Sequence, residues 1–165
     1  MKSIASPILI QQITEAILPH YELTEARAIA FRCLDLGWNL SSMDIMLKKE
    51  VDLPEDWSSL LARLAAGEPL QYVMGKTYFR DHLFQVNADT LIPRPETEEL
   101  VDLVLTHASE NATLLDVGTG SGCIPISLKL EWPSLTVEAW DISAAALDMA
   151  RQKATALKAK VEFKQ

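Results

Sequence analysis

The sequence has 165 residues, 48% apolar and 23% charged, with six glycines, eight prolines and two cysteines. A chain of about this length buries roughly two-thirds of its unfolded surface, so length and composition exclude disorder and collagen-like repeats and allow one domain or two small ones. The formal net charge of −8 is spread evenly, 8 basic against 12 acidic residues in 1–92 and 7 against 11 in 93–165, which argues against nucleic acid or an anionic membrane as a partner.

Cys33 and Cys123 match no C-x-x-C or other metal spacing, so neither a disulfide framework nor a zinc site is expected. The expected compartment is therefore intracellular, the cytoplasm. The first sixteen residues hold one basic residue and a short apolar run cut by Gln11, Gln12 and Glu15, too weak for a signal peptide. No apolar stretch is long enough to span a membrane.

Residues 1–67 carry helical signals and almost no strand signals. Ile8, Leu9, Ile13, Ala16 and Ile17 recur at helical intervals behind Pro7, whose missing N–H costs nothing in a first turn. Thr24 is placed to cap a second helix through Ile29, Cys33 and Leu36, with Gly37 as its stop. Ser41 and Asp44 have capping-box spacing for a short third helix. Pro54 opens a fourth, with Trp57, Leu60, Leu61 and Leu64 on one face and Gly67 at its end. This is a small helical bundle.

From 68 to 92 the run TYFRDHLFQV reads as a β-hairpin connector around Arg80-Asp81-His82, although its turn lacks glycine. A helix restarts in LIPRPETEELVDLVLTHA, where acidic residues suit the positive end of the dipole and Leu100, Val101, Val104 and Leu105 supply an apolar face. Beyond residue 111 the pattern alternates: TLLDV as a short buried strand, GTGSG as a loop, CIPISLKLEW as a helix, LTVEAW as a strand, a helix capped by Ser143, and VEFKQ as a third strand. That order predicts a parallel, doubly wound α/β sheet, read as the first half of a nucleotide-binding domain.

The loop Asp116-Val117-Gly118-Thr119-Gly120-Ser121-Gly122 joins the first strand to its helix. Glycines there permit positive φ and bring backbone N–H groups close to a ligand. Asp141 ends the second strand, where a carboxylate can accept hydrogen bonds from both hydroxyls of an adenosine ribose. The dinucleotide fingerprint G-x-G-x-x-G would need glycine where Cys123 stands. The observed G-x-G-x-G, with Asp116 ahead of it, suits S-adenosyl-L-methionine, which has no pyrophosphate and whose cationic methionyl group favours a nearby carboxylate. Methyl transfer is the better reading and hydride transfer by an NAD-dependent oxidoreductase the weaker one.

GEPLQYVMGKTYF (67–79), LIPRPETEELV (91–101), LLDVGTGSGCI (114–124) and AWDIS (139–143) resemble the HemK/PrmC family, the protein-(glutamine-N5) methyltransferases of peptide chain release factors. The similarity runs in order over residues 67–151. It implies a fold of an N-terminal helical bundle, a β-hairpin connector and the first half of a Rossmann-like class I S-adenosylmethionine-dependent methyltransferase domain, divided at 1–67, 68–92 and 93–165. The bundle would recognise the release factor. Gly118, Thr119, Gly120, Ser121 and Gly122, with Asp116, would hold the cofactor's methionyl and ribose parts, and Asp141 its ribose hydroxyls. The implied reaction carries methyl from the sulfonium to the amide nitrogen of the glutamine in the release factor's GGQ motif. In the family an N-P-P-Y segment aims that poorly nucleophilic nitrogen, catalysis by positioning. These 165 residues contain no two adjacent prolines and hence no N-P-P-Y. They are therefore expected to be inactive alone, to supply no catalytic residue and to self-associate through an incomplete sheet; an inactive release-factor-binding fragment is the rival reading.

Arg94, Glu96, Thr97 and Glu98 read as a helix start capped by acidic residues or, as the resemblance implies, as support for the cofactor side or the catalytic loop. Phe79 and Tyr78 read as core in preference to pocket lining, as do Trp38, Trp57, Trp132 and Trp140. His20, His82 and His107 have no partner at catalytic spacing. Pro125 sits in a first turn, where it is tolerated.

Overall fold

A computed structural model of the protein describes residues 2–109 and 112–165. The chain divides into two compact units, Met1–Met74 and Gly75–Gln165. Residues 68–92, read from sequence as one connector, are shared between them: a short helix ends the first unit and the hairpin opens the second.

The first unit contains β1 (Lys2–Ala5), α1 (Ser6–Ile17), α2 (Leu23–Trp38), α3 (Ser42–Met46), β2 (Glu50–Leu53), α4 (Trp57–Ala65) and α5 (Leu70–Met74). Leu9, Ile13 and Ile17, one helical stripe, are almost wholly buried, each stabilising the fold by roughly 1.5–3 kcal/mol. The expectation of almost no strand here is corrected: β1 pairs antiparallel with β2, Ile4 opposite Val51. Four residues show too few alternations for their period to stand out beside helices.

Helix α2 corrects two further expectations. Its N-cap is Glu22, with no side-chain cap bond, and Thr24 lies inside the helix. It also continues through Gly37 to Trp38 and ends at Asn39, in the left-handed conformation with φ 53°, which asparagine tolerates. Gly37 is needed for packing instead, since a Cβ there would lie 3.0 Å from Met74 Cε. The capping box of α3 is complete: the Asp44 N–H donates to Ser41 Oγ, and the Ser41 N–H donates to Asp44 Oδ2 at 3.0 Å. The bonds from Ser41, helped by Lys49, hold the Asp44 carboxyl down at about 2. In α4, Trp57 and Leu64 are buried while Leu60 and Leu61 are half-buried. Trp57 meets Trp38 edge-on, with ring centroids 5.6 Å apart.

The second unit opens with β3 (Lys76–Phe79) and β4 (His82–Gln85), an antiparallel hairpin with Phe79 opposite His82. Its two-residue turn has no glycine because Arg80 itself takes the left-handed conformation, φ 42°. α6 (Pro95–His107) buries Val101, but Leu100, expected on the apolar face, is exposed. There follow β5 (Thr113–Val117), α7 (Cys123–Glu131), β6 (Thr136–Trp140), α8 (Ala144–Leu157) and β7 (Glu162–Lys164). The three strands form one parallel sheet in the order β5-β6-β7, with Asp116 beside Ala139. Strand, helix, strand, helix, strand in a parallel sheet is a Rossmann-like arrangement. Its core gathers Phe79, Phe84, Val101, Ile126, Leu128 and Val137.

Strand β5 is not the buried strand expected. Leu115 is 45% and Val117 73% exposed on one face of the strand, and among the described residues β5 pairs with β6 alone. Trp140, expected to pack, is also exposed. Cys33 and Cys123 are both free and buried, and burial pushes their thiols up to about 12 and about 11. No helix among the described residues is long and apolar enough to cross a membrane.

Candidate cofactor site

The loop between β5 and α7 turns on three glycines, Gly118, Gly120 and Gly122, with φ of 79°, 55° and 75°. Other residues adopt such angles only at a cost. The three differ in what surrounds them. A Cβ on Gly118 or Gly120 would meet nothing within 4 Å, whereas one on Gly122 would come within 2.9 Å of Ala150 Cβ and 3.0 Å of Ile126 Cδ1. Gly122 therefore lets the start of α7 lie against α8. Gly118 and Gly120 present bare backbone to open space.

The loop amides do not all wait for a ligand, as the sequence reading supposed. Gly118 and Thr119 donate their N–H groups to the Trp140 carbonyl at 2.8 and 3.0 Å, and Gly122 donates to Thr119 O. The Gly120 N–H donates to Asp141 Oδ2 at 2.8 Å, while Asp141 Oδ1 accepts from the Ser143 N–H at 2.9 Å. Ser143 in turn caps α8 by accepting from the Ala146 N–H. Buried amides need partners, and the end of β6 provides them. Asp141 thus ties the loop to the start of α8, and each of its oxygens keeps acceptor capacity for a further donor.

Asp116, one residue from the end of β5, has the opposite character. Its Oδ2 is buried and completes no hydrogen bond. Burial pushes its carboxyl above the ordinary carboxylate range and the charge of Asp141 pushes the same way, while the nearby Thr119 hydroxyl offsets part of the rise. Thr119 Oγ1 is also buried without a completed hydrogen bond. Ser121 is buried, and its hydroxyl lies beside the Cys123 thiol. Two half-buried carboxylates, one with an orphan oxygen, and open backbone between them suit a ligand with a cationic group at one end and hydroxyls at the other.

The structure gathers Asp116, Gly118, Thr119, Gly120, Ser121, Gly122 and Asp141 at one end of the sheet, with Thr119, Ser121 and Gly122 turned into the fold. Phe79 and Phe84 meet edge-on in the core, centroids 6.0 Å apart. Arg94 is the N-cap of α6, and Glu98 accepts the Arg80 N–H at 2.9 Å, a bond that braces the hairpin turn. The residue that sequence reasoning passed over is Arg80. It reaches Asp102 at 2.7 Å and grips Glu131 with Nε and Nη2, joining the hairpin to α6 and α7. A non-glycine pair between two β runs was the available signal.

The methyltransferase small domain family matches residues 96–165. The release factor glutamine methyltransferases of Bacteroides thetaiotaomicron and Enterococcus faecalis are each 40% identical, over 94% and 96% of this chain and 56% and 55% of their own lengths. By sequence, the chain is similar to the release factor glutamine methyltransferases. That of Neisseria gonorrhoeae is 44% identical over 68% of the chain. The chain spans about half the length of the curated relatives it matches. A solved tRNA (uracil-54, C5)-methyltransferase from Pyrococcus abyssi, in complex with S-adenosyl-L-homocysteine, is a distant likeness, 21% identical over 54% of this chain and 22% of its own with a TM-score of 0.45.

Proposed function

We propose that these residues supply the S-adenosylmethionine-binding part of a release factor glutamine methyltransferase of the cytoplasm, with residues 1–67 recognising the release factor, 68–92 connecting and 93–165 holding the cofactor. The observation that carries this reading is the orphan Asp116 Oδ2 beside the open backbone of Gly118 and Gly120. Gly118 and Gly120 admit the ligand where any Cβ would fill the space. Asp116 faces its cationic end and Asp141 accepts from its ribose hydroxyls. When bound, the cofactor supplies an electrophilic methyl group on a sulfonium. Thr119, Ser121 and Gly122 keep the loop folded. The glycine at 123 that a dinucleotide turn needs is replaced by buried Cys123, which favours this reading over hydride transfer.

Titrating the chain with S-adenosyl-L-homocysteine should shift the amide resonances of Gly118, Gly120 and Ile142. Shifts produced by NAD and not by the adenosyl ligand would overturn the reading. Asp141→Ala should weaken binding by about 1.5–3 kcal/mol, the worth of hydrogen bonds to a charged group. With labelled S-adenosylmethionine, residues 1–165 alone should leave a release factor's GGQ glutamine unmethylated, because they contain no N-P-P-Y.

A further inference from the structure

The orphan oxygen of Asp116 has a neighbour in the same condition. Asp116 Oδ2 and Thr119 Oγ1 are both closed to solvent, and neither completes a hydrogen bond. Buried polar atoms without partners are costly and few in native folds. Thr14 and Ser127 carry such hydroxyls too, but they stand inside helices, where the carbonyl one turn back is a ready acceptor. Thr119 stands in the glycine loop and has no such carbonyl.

The other donors of the loop are committed. The N–H groups of Gly118 and Thr119 go to the Trp140 carbonyl, and that of Gly122 goes to Thr119 O. Asp141 takes the Gly120 and Ser143 N–H groups on its two oxygens. The Ser121 hydroxyl lies beside the Cys123 thiol. What remains for Asp116 is the Thr119 hydroxyl, three residues further on and beside its carboxyl. The Thr119 main chain is pinned at both its N–H and its C=O, so the hydroxyl moves by rotation about χ1 alone. An ionised carboxylate only accepts, and a hydrogen bond to it is roughly twice as strong as one to a neutral group. Ionisation of Asp116 therefore draws the hydroxyl in.

We propose that Thr119 is a positioning residue for Asp116: once that carboxyl ionises, the Thr119 hydroxyl donates to the buried Oδ2 and holds the other oxygen, the one a ligand reaches, toward the open backbone of Gly118 and Gly120. The pairing concerns this chain's own residues, while its use in holding a cationic ligand rests on the cofactor reading. A ligand's cation favours the ionised carboxylate, and the ionised carboxylate engages the hydroxyl, so the two orphan atoms are satisfied together. Asp141, just beyond β6, and Cys123, on α7, are the other titratable groups beside Asp116. The Cys123 thiol, pushed up to about 11 chiefly by burial, stays neutral through the carboxylate range, and Asp141 is common to every form compared.

The test uses the full chain, Thr119→Val, which keeps the branched shape and removes the hydroxyl, and Thr119→Ser, which keeps the hydroxyl. The first measurement needs no ligand: the side-chain carboxyl carbon resonance of Asp116 is followed from acid to neutral pH. Thr119→Val should raise its midpoint by about one pH unit, the size set by a hydrogen bond to a charged group, with the circular dichroism spectrum unchanged. Thr119→Ser should keep the original midpoint. The second measurement is calorimetric titration with S-adenosyl-L-homocysteine, whose ammonium supplies the cation. Thr119→Val should bind it about fivefold more weakly near pH 5 and lose less near pH 8, where the carboxyl is ionised with or without the hydroxyl. An Asp116 midpoint that stays or falls in Thr119→Val would overturn the proposal. So would a Thr119→Ser midpoint displaced as far as that of Thr119→Val, which would assign the effect to packing. A raised midpoint with affinity unchanged at both pH values would overturn the positioning role. Failure of the unsubstituted chain to bind S-adenosyl-L-homocysteine would overturn the cofactor reading and the ligand half of the proposal with it, while the carboxyl titration would still decide the pairing.

Discussion

In the first unit the large side chains of α1 and α2 face one another, and Leu9, Ile13 and Leu34 have no exposed surface. In the second, strand β5 leaves Val117 73% and the residue beyond β6, Ile142, 93% exposed. Both units expose apolar groups, the first on the outer faces of helices such as α3. The difference is that the second also exposes them on strands, beside edge N–H and C=O groups. A helix satisfies its own backbone, so an apolar residue on its surface is tolerable; a strand edge is a template for another chain. The same end of the sheet holds the candidate cofactor site, with Asp116 near the end of the poorly covered β5 and Asp141 just beyond β6. Incomplete cover and ligand access occur in one place.

The largest expected effect tests whether the second unit depends on a single glycine for its packing. Gly122→Val adds a branched side chain at φ 75° and 2.9 Å from Ala150 Cβ. Backbone strain and overpacking together should cost about 3–5 kcal/mol. Urea unfolding followed separately at Trp57 and Trp140 should show the second unit's transition shifted to lower denaturant and the first unit's unmoved. A common shift would mean that the two units unfold as one.

Next in size is the contrast in opening. Amides of α1 and α2 should exchange roughly a hundredfold more slowly than those of β5 in dilute solution, since local stability follows buried contacts and protected backbone bonds. At higher concentration the chain should associate through β5, and Leu115→Lys, on its exposed face, should reduce that association in sedimentation. Equal slow exchange in both units of a monomer would break the comparison, because the three-stranded sheet would then be self-sufficient.

Arg80 sharpens the comparison from the opposite side, as the device that closes part of the second unit. Its guanidinium is mostly covered, grips Glu131 with two nitrogens and meets Asp102, while its own N–H is held by Glu98. These carboxylates keep it charged. Exposed ion pairs contribute little, and Asp102 is largely exposed; the two-point contact with Glu131 carries more. Arg80→Ala should cost about 1–2 kcal/mol, read as a lower urea midpoint at Trp140, and Glu131→Gln should recover only part of that loss.

Much of this architecture was legible because its signals are local. The Ser41–Asp44 box, the Ser143 cap, the hairpin runs and the strand-helix alternation beyond residue 112 each depend on neighbours within a few positions. What escaped reading depends on distant partners. Gly37 resembles a helix stop until Met74 is seen against it. Arg80 resembles a poor turn residue until three carboxylates from α6 and α7 surround it. At the candidate site the residue types were readable, but not that the loop amides of Gly118, Thr119 and Gly120 are already bonded to the end of β6. That arrangement is set by the parallel register of β5 and β6, which no spacing in one strand reveals.

The smallest expected effect has the opposite sign from the others. Burial raises the Asp116 carboxyl above its ordinary value, so the folded state holds that proton more tightly than the unfolded chain does. The ionised form therefore costs the ligand-free fold stability at neutral pH. Stability from this group is present below the unfolded carboxylate value and is lost as pH rises through the folded one. Asp116→Asn removes the charge. It should stabilise the ligand-free protein by about 1 kcal/mol at pH 7, the low end of the cost of a buried polar group without a partner, with no advantage at a pH below about 3.9, where the unfolded carboxyl is also neutral. The same variant should weaken S-adenosylmethionine binding, since a cationic end then meets no charge. Urea midpoints at the two pH values and one calorimetric titration measure both halves. An advantage that does not change with pH would come from shape and not from charge. An unaltered affinity would remove Asp116 from the site and leave Asp141 and the open glycines as its whole recognition.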